Sequence, residues 1–103
     1  MNIVWLSSRV LGSDLCSTTQ IQLANGLVSK GYSVDFYSPG KSVANTFNHH
    51  SIERSSLRGF QARSVVKNLH EYLDDINSAD VVLIDWSIFS IASKIKPKVV
   101  LID

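Results

Sequence analysis

Apolar positions along this chain change their spacing several times, and each change marks an element. Residues 3–6, Ile-Val-Trp-Leu, are a short continuous apolar run, the pattern of a strand buried on both faces in a parallel sheet. Ile21, Ala24, Leu27 and Val28 then recur at helical spacing and predict an amphipathic helix. Ser17 and Gln20 have capping-box spacing at its start, so Ser17 can cap while Gln20 reaches back. Lys30 suits its last turn and Gly31 the left-handed position beyond it. Residues 32–37 read as a second strand with Val34 and Phe36 on one face, and Ser38-Pro39-Gly40 as a turn. Residues 41–56 are polar and irregular, with a short third strand expected at residues 50–53.

Val65, Val66, Leu69, Tyr72, Leu73 and Ile76 restore a 3.6-residue rhythm and predict a second helix over residues 59–76, ended by Asn77-Ser78. Residues 80–85 follow as a buried strand with an acid at each end. Ser87 is placed to cap a short helix carrying Ile88, Ile91, Ala92 and Ile95, Pro97 stops it, and residues 98–102 form a last strand closed by Asp103. Such alternation implies one Rossmann-like domain over residues 1–103, a three-layer α/β/α sandwich. Its right-handed crossovers join a parallel sheet of order 3-2-1-4-5. An apolar final strand calls for cover on both faces, so the chain is expected to be the N-terminal piece of a longer polypeptide.

Composition narrows the classes of function. Of 103 residues, 45% are apolar and 18% charged, which is globular rather than disordered. Ten basic and nine acidic side chains leave a formal charge of +1, so no nucleic acid partner is called for. A lone Cys16 excludes an internal disulfide and fits a reducing cytoplasm. No apolar run approaches the roughly 20 residues that cross a bilayer, and the strand-like start lacks the basic leader of a secretion signal.

In an open parallel sheet, ligands sit beyond the carboxyl ends of the strands near the reversal of strand order. Three segments meet there: residues 7–16, Asp85-Trp86-Ser87 and Asp103. The first has neither the G-x-G-x-x-G of a dinucleotide site nor the Gly-Lys-Ser/Thr of a P-loop. It offers instead Gly12 for close backbone approach, the polar Arg9 and Ser13, and the free N–H groups of a helix start near Ser17, Thr18 and Thr19. Arg9, Gly12, Ser13, Ser17, Thr18, Trp86 and Asp103 are therefore the candidate ligand-binding residues, and Asp85 and Asp14 the candidate catalytic ones. Each has a plainer reading beside it. Asp14 either orients an acceptor hydroxyl or stabilises a helix start. Arg9 either grips a phosphate or is solvated. Asp85 and Asp103 either share a proton or close their strands. The hydroxyls of residues 17–19 also serve as ordinary caps.

Cys16 has no identifiable partner that would activate it. Adjacent His49 and His50 point apart, so no metal is expected. Arg58, Arg63 and Lys67, with Arg54 nearby, are candidates for contact with lipid headgroups or acceptor phosphates, or else a solvated basic face.

The opening "MNIVWLSSRVLGSDLCSTTQIQLANGLVSKGYSVDFYSPG" resembles the N-terminus of GT-B glycosyltransferases, especially the glycosyltransferase family 4-like, or group 1, members. "ADVVLIDW" and "KPKVVLID" resemble that family's fourth and fifth strands. The resemblance implies a hexosyltransferase that moves a sugar from a nucleotide-sugar donor to a sugar or lipid-linked acceptor. It does so in a cleft between this domain and a C-terminal nucleotide-sugar-binding domain. The donor is a substrate, and no further cofactor is implied. The lone cysteine and the basic cluster set the expected location, the cytoplasm, with peripheral contact at the inner face of the membrane as an option. The domain alone is expected to be catalytically silent. Two departures stand out. The family often has adjacent glycines in the first loop, where this chain has only Gly12, and Asp85 and Asp103 stand where members often carry histidine. Acceptor and stereochemistry stay open. The alternative is a small flavodoxin-like or Rossmann-like binding module without enzymatic activity. A magnesium-binding receiver would want paired acids after its first strand, and "WLSSRV" has none. A dehydrogenase-type half would want the glycine fingerprint and an acid closing the second strand, and Tyr37-Ser38-Pro39 stands there.

Overall fold

A computed structural model describes residues 2–8, 15–40, 46–54 and 60–102. The elements run β1 (Asn2–Leu6), α1 (Leu15–Ser29), β2 (Ser33–Ser38), β3 (Asn48–Ser51), α2 (Gln61–Leu69), α3 (Leu73–Asn77), β4 (Val81–Asp85) and β5 (Lys98–Ile102). A 3-10 turn, His70–Tyr72, joins α2 to α3, and a segment of short 3-10 turns, Trp86–Lys94, kinked at Ile88, joins β4 to β5. The five strands form one sheet in the order β3-β2-β1-β4-β5, every neighbouring pair parallel. This is the architecture that the alternation of apolar runs predicts, with the reversal between β1 and β4.

Register divides the side chains between two faces. Ile3 pairs with Val34 and Trp5 with Phe36, and these four pack with Ala24 of α1. The Trp5 and Phe36 rings stack at 5.1 Å, and Phe47 tilts against Phe36 at 5.3 Å. On the other face, Val4, Leu6, Tyr37, Val82 and Ile84 lie under Val65, Leu69, Ile76, Ile88 and Ile91. Each aliphatic side chain buried this fully contributes about 1.5–3 kcal/mol. Helix α1 packs over Ile3, Trp5, Val34 and Phe36 of β1 and β2, whereas α2, α3 and the segment after β4 pack on the other face. The full cover expected for β5 is accordingly not met among the described residues. Val100 is 38% exposed, and an apolar groove of about 340 Å³ lined by Trp5, Leu23, Leu27 and Leu83 runs beside α1.

Several local expectations are corrected. Helix α1 already includes Leu15, so Ser17 lies within the first turn and not at the position before it. The third strand covers residues 48–51 and pairs Asp35 with Asn48 through Ser38 with Ser51. The helix predicted over residues 59–76 is broken. The His70 Nδ1–H donates to the Val66 carbonyl at 2.9 Å, the acceptor that the His70 backbone N–H would use in an α-helix. That N–H turns to Lys67 instead, which tightens the next turn to 3-10 while Leu69 and Ile76 both stay fully buried. Finally, Asp85 caps the last helical segment, not Ser87. Its backbone is extended, and its carboxylate accepts from the Ser87 N–H. Helix α1 ends at Ser29, so Lys30 falls just past its last turn, while Gly31 takes the predicted left-handed position at a φ of 95°, a conformation costly to any residue with a Cβ.

Candidate functional site

The carboxyl rim of the sheet is organised around Asp85. Its Oδ2 accepts from Ser7 Oγ at 3.2 Å and from Gln20 Nε2 at 3.1 Å. Its Oδ1 accepts from the Ser87 backbone N–H at 3.0 Å and from Ser87 Oγ at 2.9 Å. An ionised carboxylate is acceptor-only, so donors on both oxygens suit it. Asp85, Ser7 and Gln20 are 1%, 0% and 2% exposed. One buried group thus fastens the turn after β1, the body of α1 and the start of the 3-10 segment. A second link, Ser8 Oγ to Ser87 Oγ at 2.5 Å, joins the same two turns nearer the surface. Arg54, beyond β3, donates from Nη1 to the Ser8 carbonyl at 3.1 Å. The turns after β1, β3 and β4 therefore converge on one rim, as the switch-point argument requires.

Trp86 and Phe89 stand on that rim. Their rings stack at 5.0 Å with an interplanar angle of 15°. Ile88 and Ile91 of the same segment are 1% exposed and anchor it, while Ile88 departs from helical geometry at φ −124°, ψ 27°. Trp86 and Phe89 remain 55% and 51% exposed.

The β2–β3 side carries the histidines. They point to opposite faces: His49 Nε2 meets Ser38 Oγ at 2.7 Å, and His50 Nε2 meets Asp35 Oδ1 at 3.0 Å with its ring stacked on Tyr37 at 4.4 Å. Burial lowers the His49 pKa below the usual imidazole value, against an opposing hydrogen bond from Ser38 and with a small added push from His50. Burial, then the nearby carboxylates Asp35 and Asp75, raises the Tyr37 hydroxyl to about 12. Among the described residues no group of three or more metal-binding side chains gathers. A polar depression of about 410 Å³, lined by Pro39, Gly40, Ser51, Ile52, Glu53 and Arg54, opens past the ends of β2 and β3.

Of the basic candidates, Arg63 and Lys67 stand on α2. Arg63 rests over the Phe60 ring at 5.9 Å, a cation–π distance. With Ser64 and Lys67 they line a shallow cavity of about 300 Å³. No helix among the described residues is long and apolar enough to cross a membrane.

Of the residues singled out in the sequence, Asp85 and Trp86 come together on the rim. Thr18 is exposed near the start of α1, and Ser17 lies in its first turn. Arg9, Gly12, Ser13, Asp14, Arg58 and Asp103 lie outside the described residues. Gln20, Ser8, Arg54 and Phe89 were not singled out for the rim. Gln20 carried a signal: it stands four residues before Ala24, on the buried side of α1, and a polar side chain on an apolar face needs a partner.

No protein-family model matches the sequence, and no curated protein matches it. Solved structures do. Sucrose-phosphate synthase from Thermosynechococcus elongatus superposes with a TM-score of 0.72 at 10% identity, covering 98% of this chain and 32% of that one. Apo UGT2 of Phytolacca americana gives 0.65 at 14% identity, covering 97% and 29%. A ugt transferase from Siraitia grosvenorii in complex with UDP gives 0.60 at 16% identity, covering 95% and 27%. The chain spans about a third of the length of these structures. Its parallel sheet, its strand order and these superpositions together establish that it has a glycosyltransferase-like, Rossmann-type fold.

Proposed function

We propose that this chain is the acceptor-side, N-terminal domain of a GT-B glycosyltransferase that moves a sugar from a nucleotide-sugar donor to an acceptor. The observation that carries the reading is the Asp85 lock, which fixes three rim segments at the point where strand order reverses. Transfer between two bound substrates depends on holding them in one geometry, and a rim fixed during folding loses little freedom at that moment. Asp85 acts through the groups it positions, Ser7, Gln20 and Ser87, because both of its oxygens are engaged and it is 1% exposed. Asp14 takes the role of orienting or deprotonating the acceptor hydroxyl. Arg9, Gly12, Ser13, Ser17, Thr18, Trp86 and Asp103 line the acceptor side. Arg58, Arg63 and Lys67 meet the phosphates of a lipid-linked acceptor at the inner membrane face. The nucleotide is held by a second domain of the same polypeptide, so the 103-residue chain alone turns nothing over.

The test is nucleotide release from the full-length polypeptide, measured with a panel of UDP-, GDP- and TDP-sugars and sugar or lipid-linked acceptors. Acceptor-dependent release by the full chain, with none from residues 1–103, is the expected result. Release by residues 1–103 alone, or by neither across the panel, overturns the reading.

A further inference from the structure

We infer that the apolar groove beside α1 is the seat of an α-helix from the segment of the same polypeptide that follows Asp103, running antiparallel to the strands; the inference rests on the reading of this chain as one domain of a longer protein. Both the floor and the wall of the groove are unfinished. Parallel sheets are covered on both faces, yet Leu83 is only half-buried and Val100, its register partner on β5, is 38% exposed. Leu23, on the α1 wall, is 57% exposed. Helix α1 carries no charged residue from Leu15 to Ser29, although the outward side of a surface helix is ordinarily charged. Gly26 lines the groove, and a Cβ there would meet nothing within 4 Å. Glycine weakens a helix interior relative to alanine. No described neighbour in this chain requires it, whereas close packing of a second helix against α1 does.

Charge and direction select the occupant. Helix α1 runs opposite to the strands, so Lys30 just past its end and Lys98 at the start of β5 lie at the same, amino edge of the sheet. Both are exposed, and Lys30 lines the groove. Strand β5 delivers the chain to the opposite rim. A helix that follows it therefore enters the groove at the rim and ends beside the two lysines, where its negative carbonyl end is met by positive charge. The five residues of β5 span about 16 Å, the length of about eleven helical residues. This chain covers only 27–32% of each similar solved structure, so proteins of this fold hold ample further chain to supply such a helix. A second copy is the poorer fit, because it presents this same face, whose lining holds a lysine and no acid.

Thiol labelling tests the cover. In a Cys16→Ser background, Leu23→Cys is treated with a maleimide in residues 1–103 and in the full-length polypeptide. Labelling about a hundredfold slower in the full-length chain is expected. Lys30→Glu together with Lys98→Glu reverses the charge at the helix end and restores about tenfold of that rate; an unchanged rate overturns the stated direction. Gly26→Ala gives a second measurement. It raises Tm in residues 1–103, where only helix propensity changes, and lowers it in the full-length chain, where the added methyl meets the packed helix. Equal labelling in the two chains, or a Tm raised in both, overturns the proposal. Slowing that grows with the concentration of residues 1–103 assigns the groove to a second copy. Slowing only with phosphatidylcholine–phosphatidylglycerol vesicles assigns it to lipid, and either result overturns the proposal. Protection in a full-length chain that transfers no sugar leaves the helix standing and removes the transferase reading. Transfer with Leu23→Cys equally reactive in both chains does the reverse.

Discussion

Replacing Asp85 by alanine removes the acceptor shared by Ser7 Oγ, Gln20 Nε2 and both donors of Ser87. The two serine hydroxyls can rotate toward other acceptors, and Ser87 Oγ already meets Ser8. The Gln20 amide and the Ser87 backbone N–H cannot, and Gln20 is 2% exposed. Stranding the buried Gln20 donor costs about 1–3 kcal/mol, and losing the cap on the exposed Ser87 N–H about 1 kcal/mol, roughly 2–4 kcal/mol together. At about 4 °C per kcal/mol for a domain of this size, that lowers Tm by roughly 8–16 °C. Asp85→Asn separates this from a requirement for charge. The Gln20 Oε1 has no hydrogen-bond partner among the described residues, so the Gln20 amide can turn over and accept from the new Asn Nδ2–H. Asn Oδ1 still accepts from Ser87 N–H, and the loss is about 1 kcal/mol. The assay is urea unfolding followed by emission of Trp5, which is stacked on Phe36 in the core. Equal losses in the two variants, or an alanine loss within about 0.5 kcal/mol of the parent, as at an ordinary surface site, would show that the carboxylate does not hold the rim together.

Two further outcomes follow from the same geometry. Gln20→Glu sets a second carboxylate against Asp85 at about the separation of the present 3.1 Å bond, and two such groups cannot both ionise. The variant is expected to be less stable than the parent at pH 7 and to regain stability on acidification, read from Tm between pH 4.5 and pH 8; a Tm gap independent of pH contradicts the placement. The lowered pKa of His49 acts in the opposite sense. Below the ordinary imidazole value near 6.5 the unfolded chain takes up the proton before the folded one, so this contribution is complete above that pH and is lost as the pH falls toward the folded-state value. His49→Gln should flatten the decline in Tm between pH 7 and pH 5, and an unchanged slope would remove His49 as its source.

The fold was legible because its signals are local. Residues 3–6 and 81–84 are too uniformly apolar for anything but interior strands, and Gly31 marks the end of α1 at the position where the backbone does turn left-handed. What escaped was decided by pairs far apart in sequence. Gln20 reads as half of a capping box until Asp85, 65 residues away, takes its amide. Ser87 reads as a cap until the preceding aspartate accepts its N–H. The break after Leu69 depends on which nitrogen reaches the Val66 carbonyl, and periodicity is blind to that because Leu69 and Ile76 remain on one face in either case.

The two margins of the sheet are unlike. β3 presents Asn48, His49, His50 and Ser51, a four-residue polar stretch with its imidazoles already engaged. β5 presents Lys98, Val99 and Val100 at the opposite margin. Short polar margins resist strand addition, whereas longer apolar ones invite it. Growth of the sheet, whether by a neighbouring strand of the same polypeptide or by self-association in concentrated solution, is therefore directional. It proceeds outward from β5, and a lysine or proline placed at Val100 is where it would be halted.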